Sequence, residues 1–82
     1  MFKIEWTAKA LRDAEKIETS IFLRISQKID ELKEDPFSKD IKRLRGETSF
    51  RLRVGDYRAI FDIVGSTIFI LKVGHRKHIY DF

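Results

Sequence analysis

Eighty-two residues leave room for one domain with one small core, which seven Phe, one Trp and two Tyr can fill. The absence of cysteine excludes disulfides, thiolate metal sites and a Cys nucleophile, and no apolar run reaches the roughly 18 residues of a membrane-spanning helix. The formal net charge of +4 is uneven: Met1 to Pro36 carry seven Lys/Arg against eight Asp/Glu, whereas Phe37 to Phe82 carry ten against five, so the second half is suited to a polyanion.

In chain order, Phe2, Ile4 and Trp6 alternate with Lys3 and Glu5, the period of a short strand. The N-terminus lacks the apolar stretch of a signal peptide, and the expectation is a cytoplasmic single domain over residues 1–82. Thr7 stands at an N-cap position before Ala8-Lys9-Ala10-Leu11. Leu11, Ala14, Ile17 and Ile21 recur at helical spacing as one apolar stripe, and Ile25, Ile29 and Leu32 recur in the same way. Two arrangements fit: two helices with Ser20 capping the second, or one bent helix. Pro36 pushes Asp35 out of helical geometry and ends the segment. The charges of this amphipathic region are read as a solvated face.

After Pro36 the period becomes two. Ile41 to Arg45 is a candidate strand ended by Gly46. Ser49 to Val54 places Phe50, Leu52 and Val54 on one side and Arg51 and Arg53 on the other. Gly55-Asp56 is a turn signal, and Tyr57, Ala59, Phe61 and Ile63 share the core face of the next strand. Gly65-Ser66 marks a second turn, followed by a strand over Thr67 to Val73 with Phe69, Leu71 and Val73 facing the core. The expected fold class is α+β: an N-terminal strand and helical hairpin packed on one face of a small twisted antiparallel sheet.

The same alternation gathers cations on the face away from the core. Arg51 and Arg53 lie side by side, Arg58 falls across the Gly55 turn, Lys72 lies one strand further, and Arg76 follows a break at Gly74. Lys42, Arg43 and Arg45 add charge nearby. Any one exposed strand arginine has an ordinary explanation in protection of sheet edges. For the set this weakens, because like charges opposite each other on adjacent strands repel. A phosphate chain on that face would relieve the repulsion, and the planar arginine fork matches phosphate oxygens. In the tail, His75 and Tyr80 taken singly are more often structural. Beside an arginine cluster either could move a proton, since cations favour a deprotonated neighbour.

Leu44-Arg45-Gly46, then Phe50-Arg51-Leu52-Arg53-Val54-Gly55-Asp56-Tyr57-Arg58, then Val73-Gly74-His75-Arg76 and Tyr80 resemble the RelE/ParE toxin superfamily. The resemblance implies a RelE-like, microbial-ribonuclease-like fold and a toxin of a type II toxin–antitoxin system. It implies metal-independent cleavage of mRNA in the ribosomal A site, without cofactor, by attack of the RNA's own 2′-OH on the adjacent phosphate. It implies a candidate catalytic set of Arg51, Arg53, Arg58, Arg76 and Tyr80. Lys42, Arg43, Arg45, Lys72, His75 and Lys77 form a candidate RNA-binding set. Partners implied are a RelB-like antitoxin, the ribosome with its mRNA and, for the toxin–antitoxin complex, operator DNA.

Two features depart from RelE itself: arginines replace lysines at 51 and 53, and Arg76 to Tyr80 is a shorter spacing. Arginine does not give up its proton, so a base would be Tyr80 first and His75 second. Two rivals stay open, a ParE-like toxin that blocks DNA gyrase without cutting RNA and a non-enzymatic basic nucleic-acid-binding module.

The chain also has no Asn and one Gln, with abundant Lys, Glu and Ile, a bias shared with heat-adapted proteins. The expected melting temperature lies above the mesophile range of about 45–65 °C. A thermal melt inside that range refutes this reading.

Overall fold

The computed structural model describes residues 1–37, 40–43 and 49–79. Its elements run β1 (Lys3–Trp6), α1 (Ala8–Glu15), α2 (Thr19–Asp30), a single 3₁₀ turn (Glu31–Lys33), β2 (Ile41–Arg43), β3 (Phe50–Val54), β4 (Tyr57–Val64) and β5 (Thr67–His75). The five strands form one sheet in the order β1-β5-β4-β3-β2. The meander from β2 to β5 is antiparallel as expected, but β1 runs parallel to β5. The sheet is therefore mixed. The helices carry the chain from one sheet edge to the other, and the meander works back until β5 lies beside β1.

Local chemistry sets the boundaries. The Thr7 hydroxyl accepts from the Ala10 N–H at 3.2 Å and donates to the Ile70 carbonyl at 2.7 Å, so one residue caps α1 and ties it to β5. The helical region is two helices. Ser20 does not cap the second: α2 begins at Thr19, its N-cap is Glu18, and the Ser20 hydroxyl donates to the Glu18 carboxylate. Gly55 and Gly65 have φ of 59° and 61°, with no positive φ at Asp56 or Ser66. That is the signature of type II′ hairpins, which match the twist of the flanking strands.

The core packs Ala10, Ile25, Ile29 and Leu32 of the helical side against Leu52, Ala59, Phe61, Ile68, Ile70 and Val73 of the sheet. Phe61 stacks on Phe50 at 5.4 Å between ring centroids. Two parts of the expected pattern shift. Leu11 is exposed and Ala10 is buried in its place, because the small Ala10 is the residue of α1 enclosed in the core. In β5 the buried residues are Ile68, Ile70 and Val73, not Phe69 and Leu71. A bulge explains this: Ile60 pairs with Lys72 but Phe61 with Ile70, so Leu71 is an extra residue and the alternation reverses across it. Phe69 then lies opposite Asp62 and Glu5, on the outer face.

β5 also runs two residues beyond the expected end, through Gly74, which is strand and not a break. A side chain at 74 would meet Ile79 carbons at 3.3 and 3.4 Å, so glycine there lets the returning tail settle on the sheet. β2 is described over Ile41–Arg43; Arg45 and Gly46 lie outside the described residues.

Candidate functional site

The face of the sheet away from the helices carries the cations, and the strand register arranges them in two cross-strand rows. One runs Lys42, Arg51, Ile60, Lys72, and the other runs Arg53, Arg58, Gly74. Neighbouring strands are about 4.8 Å apart, so each row is a closely spaced set of side chains. A two-residue hairpin makes Val54 and Tyr57 the hydrogen-bonded closing pair. Arg53 and Arg58, one step back, therefore sit at a close, non-hydrogen-bonded position. Arg76 follows the end of β5, where its N–H donates to the Asp56 carbonyl at 2.8 Å.

Arg58 is the electrostatic centre. Its Nη1 donates to the Gly55 and Tyr57 carbonyls, both at 2.8 Å, which anchors the guanidinium at the root of the hairpin. Its pKa is held below the ordinary arginine value, first by burial, then by Arg51, Arg53 and Arg76. Asp56 opposes this. Three further arginines thus act on Arg58 in the free protein.

Among the described residues, carboxylates at the rim meet two of these arginines. Arg53 Nη2 lies 3.3 Å from Asp40 Oδ1, and Lys28 Nζ of α2 lies 3.2 Å from Asp40 Oδ2. Lys28 chiefly, with Arg53 adding to it against the effect of burial, holds the Asp40 carboxyl below the usual carboxylate range. Arg76 Nε lies 3.7 Å from Asp56 Oδ1.

Lys42, Arg51, Arg53, Arg58, Lys72 and Arg76 therefore belong to one face. Arg43 and His75 do not. Arg43 pairs in register with Phe50, on the helix side of the sheet, and its Cζ lies 5.9 Å from the Phe50 ring. His75 pairs with Tyr57, also on the helix side, in an edge-on contact at 5.3 Å. Its Nδ1 accepts from the Lys77 N–H at 3.1 Å. His75 faces a cleft of about 600 Å³ between α1 and the end of β5, lined by Lys9, Lys16 and His78 among others. Lys77 is exposed in the turn after β5. Arg45 and Tyr80 lie outside the described residues.

Strand parity alone separates Lys42 from Arg43 and places His75 with Val73; that signal was present in the sequence. Two contributors carry no such signal. Ile60 is 1% exposed although it lies on the cation face, making an apolar floor between Arg51 and Lys72. Asp40 reaches Arg53 from 13 residues away.

The profile of the ParE toxin of type II toxin–antitoxin systems (parDE) matches residues 4–80. The chain belongs to the RelE/ParE toxin family. Its fold is shared with a chain of the toxin–antitoxin complex RelBE2 from Mycobacterium tuberculosis, at 30% identity and a TM-score of 0.82, covering 92% of this toxin and 98% of that chain. A chain of the RelB–RelE complex from Methanococcus jannaschii is 31% identical with a TM-score of 0.77, covering 94% and 95%. The isolated RelE toxin of E. coli shares the fold at 20% identity, with a TM-score of 0.79 and coverage of 92% and 84%. In sequence, the toxin is 46% identical over 44 residues to toxin RelE3 of Methanocaldococcus jannaschii, an alignment spanning 52% of this chain and half the length of that relative. Among the described residues no helix is long and apolar enough to cross a membrane.

Proposed function

We propose that this toxin is a ribosome-dependent, metal-independent endoribonuclease acting on mRNA in the A site. The observation that carries the reading is the pair of cross-strand cation rows centred on Arg58, on a face whose repulsion a bound phosphate would relieve.

In the proposed reaction the 2′-oxygen gives up its proton and attacks phosphorus, the bond to the 5′-oxygen breaks, and that oxygen takes a proton from solvent. The products are a 2′,3′-cyclic phosphate and a 5′-hydroxyl. The phosphorane between them is dianionic, and preorganised guanidinium groups are its natural stabilisers. Arg58, anchored through Nη1, would present Nε and Nη2 to it. Arg51, Arg53 and Arg76 would hold the flanking charge, and Lys42, Lys72 and Lys77 the RNA backbone, with Arg45 assigned to that role by family position. None of the arginines can take the 2′-OH proton. That role is assigned to Tyr80 on its match to the family's C-terminal tyrosine. Placing His75 on the helix side, with Nδ1 engaged by Lys77, weighs against it as the base. The ribosome would supply substrate alignment, which can contribute several kcal/mol.

The test is incubation with programmed ribosomes and mapping of the ends. Cleavage of ribosome-bound message leaving a 2′,3′-cyclic phosphate is expected; intact message overturns the assignment.

One observation favours a second reading: the profile match is to ParE toxins. Under it the protein inhibits gyrase, seen as lost supercoiling with RNA untouched. Under either reading the partner is an antitoxin, RelB-like by analogy with the related complexes, and the pair could bind operator DNA.

A further inference from the structure

We infer that Asp40 is a built-in stand-in for substrate phosphate: it neutralises Arg53 in the free toxin and must release it when RNA binds. The inference rests on the proposal that the arginine face takes RNA, and deepens it by naming the residue that competes with RNA for one of its cations.

The geometry supports a hand-over in place of a fixed ion pair. Asp40 divides its two oxygens, Oδ1 to Arg53 and Oδ2 to Lys28. When Arg53 turns to a phosphate, the carboxylate keeps Lys28 as its partner and is not left uncompensated. The Arg53 N–H donates to the Asp40 carbonyl at 2.9 Å, so the two residues stay adjacent whatever their side chains do. The Arg53 side chain is 64% exposed, free to swing, whereas Arg58 is anchored by two bonds to carbonyls. Arg53 also stands directly opposite Arg58, where like charges repel. A carboxylate at the rim offsets that repulsion in the empty protein, and a phosphate over both arginines would offset it in the complex. Asp40 is thus a positioning residue that acts through Arg53.

The experiment measures binding of a short single-stranded RNA over a range of salt, for wild type, Asp40→Asn, Arg53→Ala, the double variant, Lys28→Met and Arg58→Ala. Asp40→Asn is expected to tighten binding about two- to fivefold, the scale of one exposed ion pair. The salt slope should stay close to that of wild type, because Arg53 meets phosphate in both complexes and the gain comes from an ion pair that no longer has to break. In the Arg53→Ala background the same change has no effect. Lys28→Met, which leaves Asp40 with Arg53 alone, is expected to weaken binding by a similar factor, and the loss should vanish when Lys28→Met is combined with Arg53→Ala. A loss that persists there is the general effect of deleting a positive charge and overturns the inference. This pair keeps the test decisive if Asp40→Asn does not fold.

Equal or weaker binding by Asp40→Asn overturns the inference. So does a gain that persists without Arg53, which would be the general effect of deleting a negative charge. If wild type binds in a salt-dependent way and Arg58→Ala does not, while Asp40→Asn matches wild type, this inference fails and the proposed RNA face stands. If wild type shows no salt-dependent binding, both fail.

Discussion

Arg58→Ala is expected to reduce cleavage of ribosome-bound mRNA by about 10²–10³-fold, the scale of losing one preorganised donor to a developing oxyanion. The fold should survive. Arg58 is held against Arg51, Arg53 and Arg76, and its own pKa is lowered by burial and by those three charges, so deleting it removes repulsion. The melting temperature should stay level or rise slightly. Arg58→Lys should recover part of the rate, because it restores a charge but not the planar fork. The readout is single-turnover cleavage on programmed ribosomes beside a thermal melt. Wild-type cleavage by the folded alanine variant would remove Arg58 from the proposed chemistry, and unfolding would show that its bonds to Gly55 and Tyr57 matter more than the repulsion.

In the proposed reaction Arg58 holds the central place while three other cations oppose it, and both follow from where it sits. The hairpin turn at Gly55 sets the register, and the register forces Arg53 and Arg58 together at a non-hydrogen-bonded position. Neither side chain chooses the other. A bound anion over both arginines would offset their mutual repulsion, which is why the rows say more than the total charge.

Much of this was legible in the sequence because it depends on period and turn chemistry. Gly55-Asp56 and Gly65-Ser66 mark both hairpins, and alternation places Arg51, Arg53, Arg58 and Lys72 on one face. Where local period stops governing, the sequence misleads. The bulge at Leu71 exchanges the faces of β5 for Phe69 and Ile70, and no residue there announces an insertion. The parallel pairing of β1 depends on where the helices deliver the chain. Ile60 reads as an outward strand position and is buried nonetheless. Asp40 joins Arg53 only through the pairing of neighbouring strands. Long-range contacts of this kind are set by tertiary packing, which no single-residue pattern encodes.

The bulge also identifies the substitution with the largest expected effect on stability. Ala59, Ile60 and Phe61 are three successive buried residues in the middle strand of the sheet. Strict alternation would bury every second one. Here the helix layer covers Ala59 and Phe61, and the cation face encloses Ile60. Phe61 is fully buried and stacked on Phe50, so Phe61→Ala deletes a ring that neighbours cannot readily replace. The expected loss is about 3–5 kcal/mol. Domains of this size hold only about 5–15 kcal/mol in total, so the melting temperature should fall on the order of 20 °C. Phe61→Leu should cost far less, since it keeps most of the volume. Urea unfolding of the three proteins, with unchanged slopes, measures both differences; a loss below about 1 kcal/mol for Phe61→Ala would mean that the core collapses around the gap. Because Arg58 and Phe61 share one strand, the two alanine variants separate what that strand does: the first should lose cleavage with its fold intact, and the second should lose cleavage only as it unfolds.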